Sequence, residues 1–190
     1  MTTPDEVLGF WFADGPDGFR EAWFKRDGAF DEAIRARFCA AVAAARDGAL
    51  AGWAASPQGA LALAILLDQF PRNLHRGSAE AFAADATMRE IAREAVLERR
   101  FDLALTSIQR PFLYLPFEHS EAMADQDLSV ALFEGLRDDP RHARPGGAID
   151  YAWRHRVVIQ RFGRFPHRNA ALGRTSTAEE AAWLAAGGGF

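Results

Sequence analysis

Apolar residues recur along most of this chain at the three- and four-residue spacing of a helix face. Phe30, Ile34, Phe38 and Val42 fall at every fourth position between Gly28 and Arg46, and Gly48 follows as a stop, which predicts an amphipathic helix. Cys39 stands beside this stripe and reads as a small packed residue. Ser56 and Pro57 form an N-cap and first-turn pair, so a second helix opens there and runs to Phe70, where Pro71 is expected to stop it. Its middle, ALALAILL, is apolar on every side, which places this helix at the centre of the fold. Asp68 and Gln69 then lie near the interior, where an ionised Asp68 requires a partner, arginine being the obvious one.

Residues 81–99 predict a further helix, with Phe82, Met88, Ile91, Ala92 and Ala95 inward and Arg89, Glu90, Arg93, Glu94 and Glu98 on a solvated face. Val7, Leu8, Phe10, Trp11 and Phe12 are expected to join Trp23 and Phe24 in an aromatic plug over the first helix pair. Residues 107–115 read as a shorter helix disturbed by Pro111. A helix reaching Leu136 follows, with Leu128, Leu132, Phe133 and Leu136 as its buried stripe. DDPRHARPGG, residues 138–147, reads as a loop with His142 exposed. A helix over 148–162 comes next, and Thr177-x-x-Glu180 is a capping box for a last short helix carrying Trp183 and Leu184. No stretch alternates as a half-buried strand would. The pattern is all-α, stacked antiparallel helix pairs as a bundle or a solenoid. The 190 residues fit one domain, 1–190, large enough to bury about 70% of its unfolded surface.

One cysteine excludes an internal disulfide and any multi-cysteine metal site. The opening MTTPDEVLGFWF has no basic region of a secretory signal, and the longest apolar run, 59–67, is too short to span a bilayer. A cytoplasmic protein without a membrane partner is expected. Basic side chains are almost all arginine, with Lys25 the one lysine. Across the chain this bias reads as the codon usage of a GC-rich genome. Local clustering does not follow from that.

Arg154, Arg156, Arg161, Arg164, Arg168 and Arg174 crowd between Tyr151 and Ala178 with no Lys, Asp or Glu among them, although the chain carries a net charge of −4. Within this stretch RFGRFPHRN ends a helix with Phe-Pro and releases His167, Arg168 and Asn169. LDQFPRNLHRG does the same earlier with Arg72, Asn73, His75 and Arg76. Two readings stand. Arginines from both helix exits hold a phosphate or carboxylate in bidentate fashion, or they pair internally with Asp68, Glu118, Glu121 and Asp125 as bridges between helix ends. Acid–base chemistry by His119 or His167 beside Glu118 or Glu121 is a further candidate, set against hydrogen-bonded helix-terminal histidines. His75, His119 and His167 show no HExxH or comparable metal spacing. Arginines interleaved with Trp153, Phe162 and Phe165 suit single-stranded nucleic acid, but a chain of pI near 5.7 argues against it. There is no Walker loop, GxGxxG or GxSxG.

VLGFWF, ALAILLDQFPRNLHRG, FLYLPFEHSE and RFGRFPHRN with AALGR and TSTAEE occur in order from about Val7 to Leu184. Together they resemble an uncharacterised, mainly bacterial domain-of-unknown-function family of tetratricopeptide-repeat-like (TPR-like) α-α superhelical fold. The resemblance implies that fold and no activity. The 34-residue tetratricopeptide consensus is absent, so a peptide-binding role would be fold analogy alone. The expected site is a pocket with Asp68, Arg72, Asn73, His75 and Arg76 on one side. Arg161, Arg164, His167, Arg168 and Asn169 form another side, and Glu118, His119 and Glu121 close it. Its expected ligand is a small anionic metabolite or an acidic peptide terminus, with no metal or cofactor. The alternatives are a TPR-type protein-interaction module with structural charge clusters, and an enzyme using His/Glu acid–base chemistry in the same pocket.

Overall fold

The computed structural model describes residues 2–190, and among them every regular element is helical. The contacts group into two compact units: residues up to Arg76 with Glu80–Pro116, and Gly77–Ala79 with Phe117–Phe190.

In the first unit, α1 (Pro4–Trp11) starts in a capping box, Thr3 and Glu6 each accepting the other's backbone N–H. α2 (Gly28–Arg46) is capped by Asp27 and buries Phe30, Ile34, Phe38 and Val42, as their spacing predicts. Cys39 is exposed instead of packed. One residue on from Phe38, it is turned about 100° around the helix. α3 (Pro57–Ala64) does not end at Pro71. It passes through a π-helical turn, Ile65–Gln69, into α4 (Phe70–Leu74). Here the Phe70 N–H reaches back five residues to the Ile65 carbonyl. The wider turn absorbs the place where Pro71 lacks a donor and its ring would crowd the carbonyl four residues earlier. Every residue from 59 to 71 is buried.

Trp11 stacks on Trp23 at 5.8 Å and meets Phe70 and Phe112 edge-on at 5.6 Å. The Trp23 indole N–H donates to the Trp11 carbonyl at 3.0 Å. Phe24 touches this plug through Phe112 but stays exposed. The predicted 81–99 helix is broken into a 3-10 turn (Ala79–Phe82), α5 (Asp85–Arg93) and a second π turn (Glu94–Glu98). Pro111 opens α6 (Pro111–Glu118) and does not disturb an earlier helix, because a first-turn N–H has no intrahelical acceptor to lose.

In the second unit, α7 (Met123–Glu134) packs on α9 (Ala148–Phe162), with α8 (Pro140–Ala143) also against α9. The inner face of α7 is more polar than the sequence suggests. Phe133 and Leu136 are buried and Leu128 and Leu132 only half-buried, while Gln126 and Ser129 are fully enclosed. Gln126 earns that position by donating to the carbonyls of Glu118 at 2.6 Å and Ser120 at 2.7 Å, groups left without acceptor duties where α6 ends. The loop over 138–147 carries α8, capped by Asp139, which turns His142 inward; it is buried, not exposed. Gly163, at φ +68°, closes α9 in the left-handed conformation. Val158, Ile159 and Phe165 form the core, with Met123, Phe162 and Trp183 packed on it. α10 (Ala178–Ala185) begins in the predicted capping box of Thr177 and Glu180.

The plug predicts two different costs within one aromatic cluster. Trp11→Ala is expected to cost about 3–5 kcal/mol of unfolding free energy and Phe24→Ala under about 1 kcal/mol, both read from urea unfolding.

Candidate functional site

The predicted site residues fall into the two units. In the first, the π turn delivers Asp68 fully buried, where it accepts from Gln69 at 2.5 Å and lies 3.1 Å from the Arg72 guanidinium. Arg72 also grips Asp85 with two parallel hydrogen bonds of 2.9 Å. Burial opposes the Arg72 charge, but Asp68 and Asp85 outweigh it and hold the proton more firmly than usual. Asn73 donates to Asp31 at 2.7 Å, and Arg76 bonds the same carboxylate at 3.0 Å. His75 closes α4. Here the arginines tie helix ends to carboxylates of other helices.

In the second unit, Arg161 pairs with Glu179 at 2.8 Å, and Arg164 holds Glu180 with bonds of 2.6 and 2.7 Å. Asn169 reaches Ser176 at 3.0 Å and Glu180 at 3.3 Å. The Arg164 hydrogen bonds, joined by the Thr177 backbone N–H, bring Glu180 down to about 2. Glu121 accepts the Phe165 N–H at 2.8 Å and a two-pronged Arg174 at 2.7 and 3.0 Å. Burial would raise its pKa, but those bonds and the Arg168 charge win, so it stays an ionised carboxylate.

What this loop assembles is a ring of nitrogen-bearing side chains about Phe165. The Arg168 guanidinium carbon lies 4.5 Å from the Phe165 ring centre, and its Nη1 donates to the His119 carbonyl at 3.0 Å. His167 stands 5.5 Å from the same ring, and its Nδ1 is buried without a hydrogen-bond partner. His155, on α9, meets Phe165 edge-on at 5.5 Å and lies 6.3 Å from His119. Its Nδ1 is 2.9 Å from the Tyr151 carbonyl and 3.2 Å from Glu118 Oε1. Both oxygens favour the tautomer with the proton on Nδ1, which leaves Nε2 as the ring's basic nitrogen. His119, Glu118, Glu121, His167 and Arg168, named from the sequence, thus meet in one place. His155 and Phe190 were missed. His155 sits between two arginines, which hides it, yet it continues the buried Ile149, Ala152, Ile159 stripe of α9.

Burial, reinforced by His119, Arg168 and His167, pushes the His155 pKa well below its usual value. Burial and then Arg168 bring His167 down to about 4, with Glu121 opposing. No group of three or more His, Cys, Asp or Glu among the described residues is placed to hold a metal ion.

Two outcomes follow. Arg72→Ala strands a buried carboxylate and is expected to cost about 3–5 kcal/mol, whereas Arg76→Ala breaks a more exposed pair worth under about 1 kcal/mol, both by urea unfolding. His155 and His167 are neutral in the fold but protonate near 6.5 when unfolded. Unfolding near pH 5 therefore takes up about two protons, so their contribution to stability is full at alkaline pH and is lost as pH falls from about 6.5 towards 4. His167→Gln is expected to remove about one proton from that slope, measured by urea titrations from about pH 5 to about pH 8.

The family model described as a bacterial protein of unknown function, DUF924, matches residues 7–188. The chain is also similar to a solved structure, described as protein of unknown function ATU0120 from Agrobacterium tumefaciens. They share 40% identity over 95% of this chain and 96% of that one, with a TM-score of 0.84. No curated protein matches the chain. Matched over nearly its whole length, the chain belongs to the DUF924 family of bacterial proteins of unknown function.

Proposed function

We propose that the protein binds a small anionic ligand at the His119, His155, His167 and Arg168 cluster around Phe165. One observation carries this reading: the buried His155 and the half-buried His167 are held neutral beside an arginine that stacks on the ring they share. A negative group arriving there would favour protonation of both, so each imidazole would become a charged donor as the ligand binds. The Glu118 contact fixes the His155 ring while its Nε2 meets the ligand. The paired arginines Arg72, Arg76, Arg161 and Arg164 act as scaffold in this reading, and the ligand contacts pass to the histidines and Arg168. The TPR-like arrangement implied by the sequence motifs belongs to the proposal too, supported by the packing of α1 on α3 and α2 on α4 in one unit and of α7 on α9 in the other.

A second reading has its own observation. The 3.2 Å Glu118–His155 contact is the geometry of a carboxylate orienting a histidine base, so acid–base catalysis on the bound anion would use His155.

The test is calorimetric titration with inorganic phosphate, citrate and acetate in buffers of differing ionisation enthalpy. Binding with proton uptake is expected, stronger at about pH 6 than at about pH 8 because the ligand raises the histidine pKa values. Arg168→Met is expected to weaken it about tenfold, roughly the worth of one charge-assisted contact. Phosphate, citrate and acetate all failing to bind the folded protein would reject the reading.

A further inference from the structure

Phe190 lies on this cluster as a bound ligand would. Its ring stacks on the His155 imidazole at 3.6 Å between centres and 11° between planes, against 5.2 Å for the stacked Phe10–Phe30 pair in the other unit. His167 and Phe165 stand edge-on to it at 5.6 and 6.3 Å, and Tyr151 is at 6.5 Å. The seat is therefore an aromatic box with a neutral imidazole for its floor. Phe190 itself keeps 50% of its surface exposed, while the His155 beneath it keeps 6%.

The segment bringing Phe190 there is held lightly. Gly187 and Gly188 donate to the carbonyls of Leu184 and Trp183 at 3.0 Å, the last backbone bonds before the ring. Gly187 and Gly189 both take positive φ, and a Cβ on Gly188 would come within 2.3 Å of the Trp183 ring. Only Gly189 separates Phe190 from the Gly188–Trp183 contact, and so short a tether presents its ring at about millimolar effective concentration. Such a tethered ring stays seated when nothing else is present and yields to a better occupant.

We propose that the seat under Phe190 is a subsite for the aromatic ring of an aromatic carboxylate, and that Phe190 is its displaceable cover. The ring replaces Phe190 on His155, while the carboxylate faces His167 and Arg168. This rests on the anion site proposed above and adds the ring to it. Arginine over an aromatic face and histidine beneath another suit a planar acid better than a purely aliphatic one.

The test compares the unaltered protein with Phe190→Ala, titrated with phenylacetate, cyclohexylacetate and inorganic phosphate. Removal of a ring competing at about millimolar concentration is expected to strengthen phenylacetate binding about tenfold and phosphate binding much less. Cyclohexylacetate is expected to gain less than phenylacetate. In the unaltered protein, NMR should show saturating phenylacetate releasing the Phe190 ring, so that its signals move to those of a mobile tail. Equal phenylacetate affinity in both proteins, or binding that leaves Phe190 seated, overturns the subsite while phosphate binding keeps the anion site intact. Absence of both phosphate and phenylacetate binding overturns the two together.

Discussion

Glu121 is the residue on which the candidate site depends. Its carboxylate takes the Phe165 N–H and both prongs of Arg174, and Arg174 in turn donates to the Phe165 carbonyl at 3.0 Å. One ion pair therefore clamps both polar groups of a buried residue's backbone. A half-buried carboxylate is costly unless it is satisfied, and here three donors satisfy it. The consequence is positional. With Phe165 fixed, His167 and Arg168, two and three residues on, have only a short arc available, and Arg168 settles over the ring just placed.

The other arginine pairs follow the same logic. Each Phe-Pro exit sends an arginine to a carboxylate on another helix, Arg164 to Glu180 in one unit and Arg72 to Asp85 in the other. Each sends the neighbouring asparagine, Asn169 or Asn73, to a carboxylate as well. The repeated motif thus binds the chain beside each Phe-Pro pair to the surrounding helices. Arginine suits this because its fork matches a carboxylate with two bonds and stays charged under burial. In the reading proposed above, the response to a ligand falls to the histidines, held neutral in the folded protein.

Phe190 reaches the cluster through the three glycines 187–189. Its ring is held there by stacking and not by paired charges. Exchange of Phe190 against a ligand would cost no helix and break no ion pair.

The helices were legible because they rest on local interactions. Four-residue spacing, Ser56 before Pro57, and Thr177 three residues before Glu180 act within one turn, so the chain carries them on its face. Asp68 needing an arginine was legible too, since burial of an unpaired charge is forbidden almost wherever the helix sits. Less could be read where distant groups decide. Pro71 continues its helix because a π turn, held in a fully buried stretch, absorbs the missing donor. Gln126 is inside because the carbonyls ending α6 need it, and His155 hides between Arg154, paired with Asp150 one turn back, and Arg156, whose partner Asp127 lies on another helix. The sequence by itself determined an all-helical chain and its main caps. Only the tertiary structure decided which arginines are consumed as ties and which histidines share a ring, because those choices depend on distances across the fold that spacing along the chain does not encode.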